Sequence, residues 1–274
     1  MSELAKRVLT AILLLIGLLL LLFVAPLWVA IWATAAVMVL AAWEWSAFLG
    51  WRLPRLRGGY AGGMALLLAV SGWLVPAVVG LQIFLWMALL WWAIAFLWIL
   101  RYPTTVPPAV AALAGLLVLI PSWLALVAIL RVPEHGPAFA LLALCIVFAG
   151  DIGAFFAGHR FGRVKLAPQV SPGKTWEGLI GGVLLAALTA AAGGAFLGLS
   201  PGIMVPVGLG VAALSVVGDL TESMFKRSVG VKDLRFGYVV DDDWQDRDPD
   251  AWLEDGRNTV PFLAHARYYF VGAS

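Results

Sequence analysis

The stretch PGIMVPVGLGVAALSVVG (residues 201–218) runs without a break into DLTESMFKR (residues 219–227), and this junction decides how the chain is read. At ~1.5 Å of helical rise per residue, the first part is long enough to cross most of a ~30 Å hydrocarbon layer. The second part then places two carboxylates, a hydroxyl and two adjacent cations where a hydrophobic helix meets water. Charge clustered at that depth is costly unless it holds something charged, such as a metal ion or phosphates.

Composition extends this picture to the whole chain. Of its 274 residues 62% are hydrophobic and only 12% charged, whereas soluble domains are about half apolar and about a quarter charged. The chain is therefore expected to be an all-α, polytopic integral membrane protein. Its single cysteine, Cys145, lies inside an apolar run, which excludes a disulfide framework and a Cys-based metal site. It reads as a small core residue. A net charge of +2 gives no basis for a nucleic-acid partner.

About eight transmembrane helices are expected, at residues 8–25, 27–43, 60–80, 82–100, 108–130, 137–156, 177–199 and 201–218. The first follows Lys6-Arg7 and runs into a second apolar segment with no small-residue cleavage site, so it reads as an uncleaved span. An even number of spans puts both termini on one side. That side collects every one of the 18 Lys and Arg residues except Arg131. The positive-inside rule makes it the cytoplasm. Eleven of the 16 acidic residues fall between Asp219 and Asp255, so function is expected in the C-terminal half, with the first five spans as scaffold. Trp86, Trp91, Trp92 and Trp98 read as interfacial anchors and packing residues.

Four segments carry the chemistry. Asp151, in DIGAFFAG (residues 151–158), lies in or at the end of the sixth span and must be paired, hydrated or bound to a cation there. A basic loop, HRFGRVK (residues 159–165), either sets orientation or contacts anionic headgroups. In SPGKTWEG (residues 171–178), Ser171, Pro172 and Gly173 read as a turn that starts the seventh helix. Lys174 and Thr175 are then expected in its first turn, where unpaired N–H groups favour an anion. It is not a P-loop, because Pro168 stands where the earlier glycine is required. Finally, Asp219, Glu222, Ser223, Lys226 and Arg227 share one helical stripe. Carboxylates followed by cations suit a metal-bound polyphosphate, with Asp219 for Mg²⁺ and Lys226 and Arg227 for phosphate oxygens.

Together, DIGAFFAG, SPGKTWEG and the segment from Gly218-Asp219 through Lys232-Asp233 resemble the bacterial phosphatidate cytidylyltransferases, the CDP-diacylglycerol synthases. The last segment holds the first half of that family's signature: Ser223, Lys226-Arg227 and, four residues on, Lys232-Asp233. The likeness covers residues 1–233 as a transmembrane domain, with the catalytic part at 145–233. It implies condensation of CTP with phosphatidic acid to CDP-diacylglycerol and pyrophosphate, with Mg²⁺ as cofactor. It also implies a multi-pass location in a bacterial inner membrane, an active site facing the cytoplasm, contact with membrane lipids, and leaves a homodimer open. By resemblance, Asp219 ligates metal and Lys226, Arg227 and Lys232 hold phosphates in catalysis. Asp151, Ser171, Lys174, Thr175, Glu222, Ser223 and Asp233 are the expected substrate-binding residues.

After Asp233 the chain departs from the family. The family continues with a Gly-rich stretch containing His-Gly-Gly, then Asp-Arg and a further Asp, then a last apolar span. Here Asp246-Arg247 falls in the register of Asp-Arg, making Asp246 the expected second metal ligand. His-Gly-Gly is missing and residues 234–274 read as an acidic, divergent cytoplasmic tail, natural or produced by a disrupted reading frame. Another Mg²⁺-dependent membrane phosphotransferase, of CDP-alcohol or phosphoglycosyl type, would also place aspartates at the membrane face, and Asp241-Asp242-Asp243 superficially suits it. The Ala-Arg and spaced acidic residues of the CDP-alcohol motif are absent. A transporter or non-catalytic membrane scaffold is the third possibility.

Overall fold

The computed structural model describes residues 3–51, 53–74, 78–229, 234–235 and 238–239. Eight long helices dominate: α1 (Glu3–Phe23), α2 (Leu27–Trp45), α3 (Pro54–Leu74), α4 (Val78–Ile99), α5 (Pro108–Leu130), α6 (Gly136–Phe161), α7 (Trp176–Phe196) and α8 (Pro201–Ser228). Two short antiparallel ladders complete the description. Strands β1 (Lys165–Ala167) and β2 (Ser171–Thr175) pair with each other, as do β3 (Leu234–Arg235) and β4 (Tyr238–Val239). Each helix falls on one of the expected apolar segments. Among the described residues, six of them (α2 and α4 to α8) are long and apolar enough to cross a bilayer. In α1 the apolar part shrinks to Val8–Phe23, and α3 begins with Arg55 and Arg57 and is rich in glycine.

The outer surface explains why the chain needs a bilayer. Leu14, Trp28, Trp32, Leu66, Trp86, Leu90, Ile180, Leu184, Leu188 and Ile203 are all exposed on helix faces that meet no other helix. In water such a surface would aggregate; against acyl chains it is matched. The protein is a multi-pass membrane protein. Cys145 belongs to this outer surface, not to the core as expected from its apolar surroundings. Lipid and protein interior are equally apolar, so flanking hydrophobicity does not distinguish the two faces of α6.

Two packing devices position the C-terminal helices. The first is close approach through small residues. Along α7, Gly178, Gly182, Ala186, Ala190 and Gly194 are buried at every fourth position, facing α6 and α8. A Cβ added at Gly153 would stand 2.5 Å from the Gly181 carbonyl oxygen, and one at Gly182 would stand 2.7 Å from that of Gly150. Backbones in that range exclude any side chain, which is how helices associate without a hydrophobic driving force between them. Two residues past the end of α7, Gly198 has a φ of +73° that permits the turn into α8.

The second device is an aromatic clamp at the other end of α8. Phe225 is fully buried, edge-on to Trp45 at 5.8 Å, Phe48 at 5.6 Å and Trp98 at 6.1 Å. Around it, the Val106 N–H donates to Ser228 Oγ at 2.6 Å and Trp45 Nε1 donates to the Ala111 carbonyl at 2.8 Å. Nearby, the buried Arg57 guanidinium donates to Ser46 Oγ and the Trp43 carbonyl and lies 5.0 Å from the Trp43 ring centroid. The N-terminal helices therefore act as a frame holding the charged end of α8 in register.

Candidate active site

Between α6 and α7 the chain leaves the helices as a β-hairpin, which corrects two expectations. Ser171, Pro172 and Gly173 are not a turn opening α7, and Lys174 and Thr175 are not in its first turn. Residues 171–175 form strand β2, paired with β1 in the register Lys165↔Thr175 and Ala167↔Ser171, and α7 begins at Trp176. Pairing with residues 165–167 outweighs the local turn preference of Pro-Gly. The basic segment is also only partly a loop, since His159, Arg160 and Phe161 complete the last turn of α6.

The hairpin is pinned at three points. The Thr175 side chain accepts from the Gly178 N–H at 3.1 Å and is the N-cap of α7. The Glu177 carboxylate accepts from the Val164 N–H at 3.2 Å, and the Trp176 N–H donates to the Val164 carbonyl at 2.9 Å. At the turn, Val170 is buried in the aromatic-rich core, and Arg227 Nε donates to its carbonyl at 2.7 Å. These contacts hold β2 over the cleft between α6, α7 and α8.

From β2, Lys174 reaches across and pairs with Asp219 of α8, the two side chains being 26% and 52% exposed. Asp151 of α6 lines the same cleft as these two residues. The cleft is small, with a cavity volume of about 40 Å³ opening to solvent, and its two ends differ in character. Asp151, Lys174 and Asp219 form a charged mouth, while Ile146, Val147, Leu179, Val183, Ala212 and Val216 make the deeper walls apolar. Gly150 and Gly182 line it without filling it.

Of the residues expected to act, the fold thus brings Asp151, Lys174 and Asp219 into one cleft. Glu222 and Lys226 lie on the same helix as Asp219 but pair with each other at 3.0 Å, one turn apart. Arg227 uses Nε to hold the hairpin, which leaves the rest of its guanidinium for another acceptor. Ser223 and Ser171 are half-buried and do not line the cleft. Thr175 is buried and its hydroxyl accepts the capping N–H of Gly178. Lys232, Asp233, Asp246 and the acidic tail lie outside the described residues, apart from the backbone of the short β3–β4 ladder. Two contributors escaped the sequence: Ser215, which lines the cleft one turn before Asp219, and Glu177, which fixes the base of the hairpin. The i, i+4 spacing of Ser215 and Asp219 was the available signal for the first.

Among the described residues no three His, Cys, Asp or Glu side chains converge to hold a metal by themselves. Two carboxylates on one cleft nevertheless fit Mg²⁺, which takes one or two carboxylates and completes its shell with waters and substrate phosphates.

Comparison with known proteins agrees with this architecture. The profile of the cytidylyltransferase family matches residues 5–237. The phosphatidate cytidylyltransferase of Pseudomonas aeruginosa is 39% identical over 206 residues, covering 72% of this chain and 74% of its own length. That of Haemophilus influenzae is 34% identical over 274 residues, covering 84% of this chain and 88% of its own. A membrane-helix cleft with an Asp–Lys–Asp mouth, inside a match of this extent, settles the kinship: the chain belongs to the cytidylyltransferase family.

Proposed function

We propose that this protein transfers a cytidylyl group from CTP to phosphatidic acid, giving CDP-diacylglycerol and pyrophosphate. The observation that carries the proposal is the two-ended cleft: a charged mouth of Asp151, Lys174 and Asp219 above apolar walls between membrane helices. A substrate that is phosphate at one end and hydrocarbon at the other matches both ends. The relatives named phosphatidate cytidylyltransferase support the same chemistry.

The lipid phosphate is already a nucleophile, so no covalent enzyme intermediate is required. One of its oxygens attacks the α-phosphorus of CTP. A new P–O bond forms, the bond from that phosphorus to the bridging β-phosphate oxygen breaks, and pyrophosphate departs with the electron pair. Catalysis then consists of alignment and of neutralising charge that builds on the leaving group. Lys174, held on a strand, would meet that charge, and Lys226 and Arg227 would add cations about two turns beyond Asp219 on the same helix. Asp151 and Asp219 would hold Mg²⁺, which supplies charge neutralisation on phosphate oxygens. Asp246 is proposed as a further ligand. The eight-helix arrangement with cytoplasmic termini, and a cleft facing the cytoplasm of a bacterial inner membrane, belong to the same proposal and rest on the one-sided Lys and Arg distribution.

The test is reconstitution of the purified protein with phosphatidic acid, CTP and Mg²⁺. Formation of CDP-diacylglycerol with one pyrophosphate per turnover is expected, and loss of both in Asp219→Asn. Release of CMP or UMP would instead indicate a phosphotransferase, and a folded, silent wild type would indicate a non-catalytic chain.

A further inference from the structure

Beside the cleft, and outside it, residues 160–165 alternate cations with apolar side chains: Arg160, Phe161, Gly162, Arg163, Val164, Lys165. All six are exposed, including the large apolar Phe161 at 63% and Val164 at 57%. Arg160 and Lys165 form no ion pair with any described residue, and Arg160 lies over the Phe161 ring at 5.6 Å. Trp176, 47% exposed at the adjoining start of α7, extends the apolar side of the same surface.

The depth of this segment follows from helix length. The 26 residues of α6 span ~39 Å, more than the ~30 Å hydrocarbon layer and close to the ~40–45 Å that includes the headgroups. Its last turn and the start of β1 therefore emerge among the lipid phosphates. At that depth, exposed Phe, Val and Trp side chains are matched by the acyl–glycerol boundary, while Arg and Lys reach up to phosphate oxygens. A solvent-facing loop would have no reason to expose Phe161 and Val164 between its cations.

We infer that Arg160, Arg163 and Lys165 form a docking surface for anionic phospholipid headgroups, which concentrates the lipid substrate at the side of the cleft. The surface recognises the phosphate of a lipid held in the leaflet, not a nucleotide, because its apolar side chains flank each cation. The identity of the enriched substrate rests on the function proposed above; the lipid preference itself does not. Each basic residue near a membrane surface strengthens attraction of an anionic lipid roughly 5-fold, so three together contribute on the order of 100-fold at low salt.

The experiment uses the full chain in phosphatidylcholine nanodiscs carrying trace spin-labelled phosphatidic acid or spin-labelled phosphatidylcholine. The immobilised fraction of each lipid is compared between wild type and Arg160→Gln/Arg163→Gln/Lys165→Gln. Wild type should immobilise phosphatidic acid selectively, with phosphatidylglycerol competing and inorganic phosphate failing to compete; the triple variant should lose the selectivity. Retained selectivity in the triple variant, or displacement by inorganic phosphate, would overturn the inference. Arg160→Lys/Arg163→Lys, which keeps the charge, should behave as wild type, and its failure alongside the Gln variant would assign the effect to folding and reject a headgroup surface. Because this measurement needs no turnover, it stands apart from the cytidylyl-transfer assay. In an active preparation the triple variant should raise the KM for surface phosphatidic acid by about 10- to 100-fold and leave kcat and the KM for CTP unchanged; a matching rise in the KM for CTP would transfer these cations to the nucleotide.

Discussion

Lys174 on a β-strand and Asp219 near the end of the last long helix are 45 residues apart in the chain and joined by an ion pair across the cleft mouth. Both side chains keep access to solvent, so the pair contributes little to stability, under about 1 kcal/mol for contacts of this kind. Under the proposed function its value lies in placing one cation and one carboxylate at the phosphate-binding mouth of the cleft. Asp219→Asn and Lys174→Met are each expected to lower kcat by about 10²- to 10³-fold, the usual cost of a lost charge-stabilising group. Thermal unfolding of both variants should match wild type. A large fall in melting temperature would make the pair structural and remove it from the mechanism.

Thr175 separates capping from catalysis. Its hydroxyl accepts from the Gly178 N–H, so Thr175→Val should destabilise the protein by about 1 kcal/mol. Thr175→Ser keeps the acceptor and should recover most of that. Neither change should alter the KM for CTP. Steady-state kinetics and thermal melts on the two variants check this; a Thr175→Val protein of normal stability with a raised KM would restore the residue to the substrate site.

Gly182 sets the distance between α6 and α7. A methyl there would meet the Gly150 carbonyl oxygen at 2.7 Å and the Ala154 Cβ at 3.1 Å. Gly182→Ala should therefore cost about 1–3 kcal/mol and reduce activity by widening the cleft. Gly62→Ala, where nothing lies within 4 Å, should be neutral or mildly stabilising. Denaturant or thermal titration in the same detergent compares the two directly.

Phe225 holds the functional end of α8 against the N-terminal frame. Replacing this fully buried ring by Ala should cost about 3–5 kcal/mol, enough to lose most folded protein. Phe225→Leu should leave a folded protein with a smaller penalty. Activity per folded molecule in Phe225→Leu should fall as well, because the register of Asp219 depends on this contact; normal specific activity would show that α8 is held elsewhere.

Much of this protein's architecture is written in its hydropathy and charge. The long apolar segments and the charged end of the last helix are one-dimensional properties, since crossing a bilayer is a matter of segment length and transfer cost. Asp151, Lys174 and Asp219 were legible as ionisable groups at membrane depth, where every charge needs a reason. The tertiary structure decided what those groups meet. Pairing of residues 171–175 with 165–167 turned an expected helix start into a strand, made Thr175 a cap and carried Lys174 to Asp219. It also put Cys145 on the outer surface and Ser215 on the cleft. Helix faces could not be assigned in advance because lipid and protein core are both apolar, so the 3.6-residue contrast that marks the inner face of a soluble helix is erased.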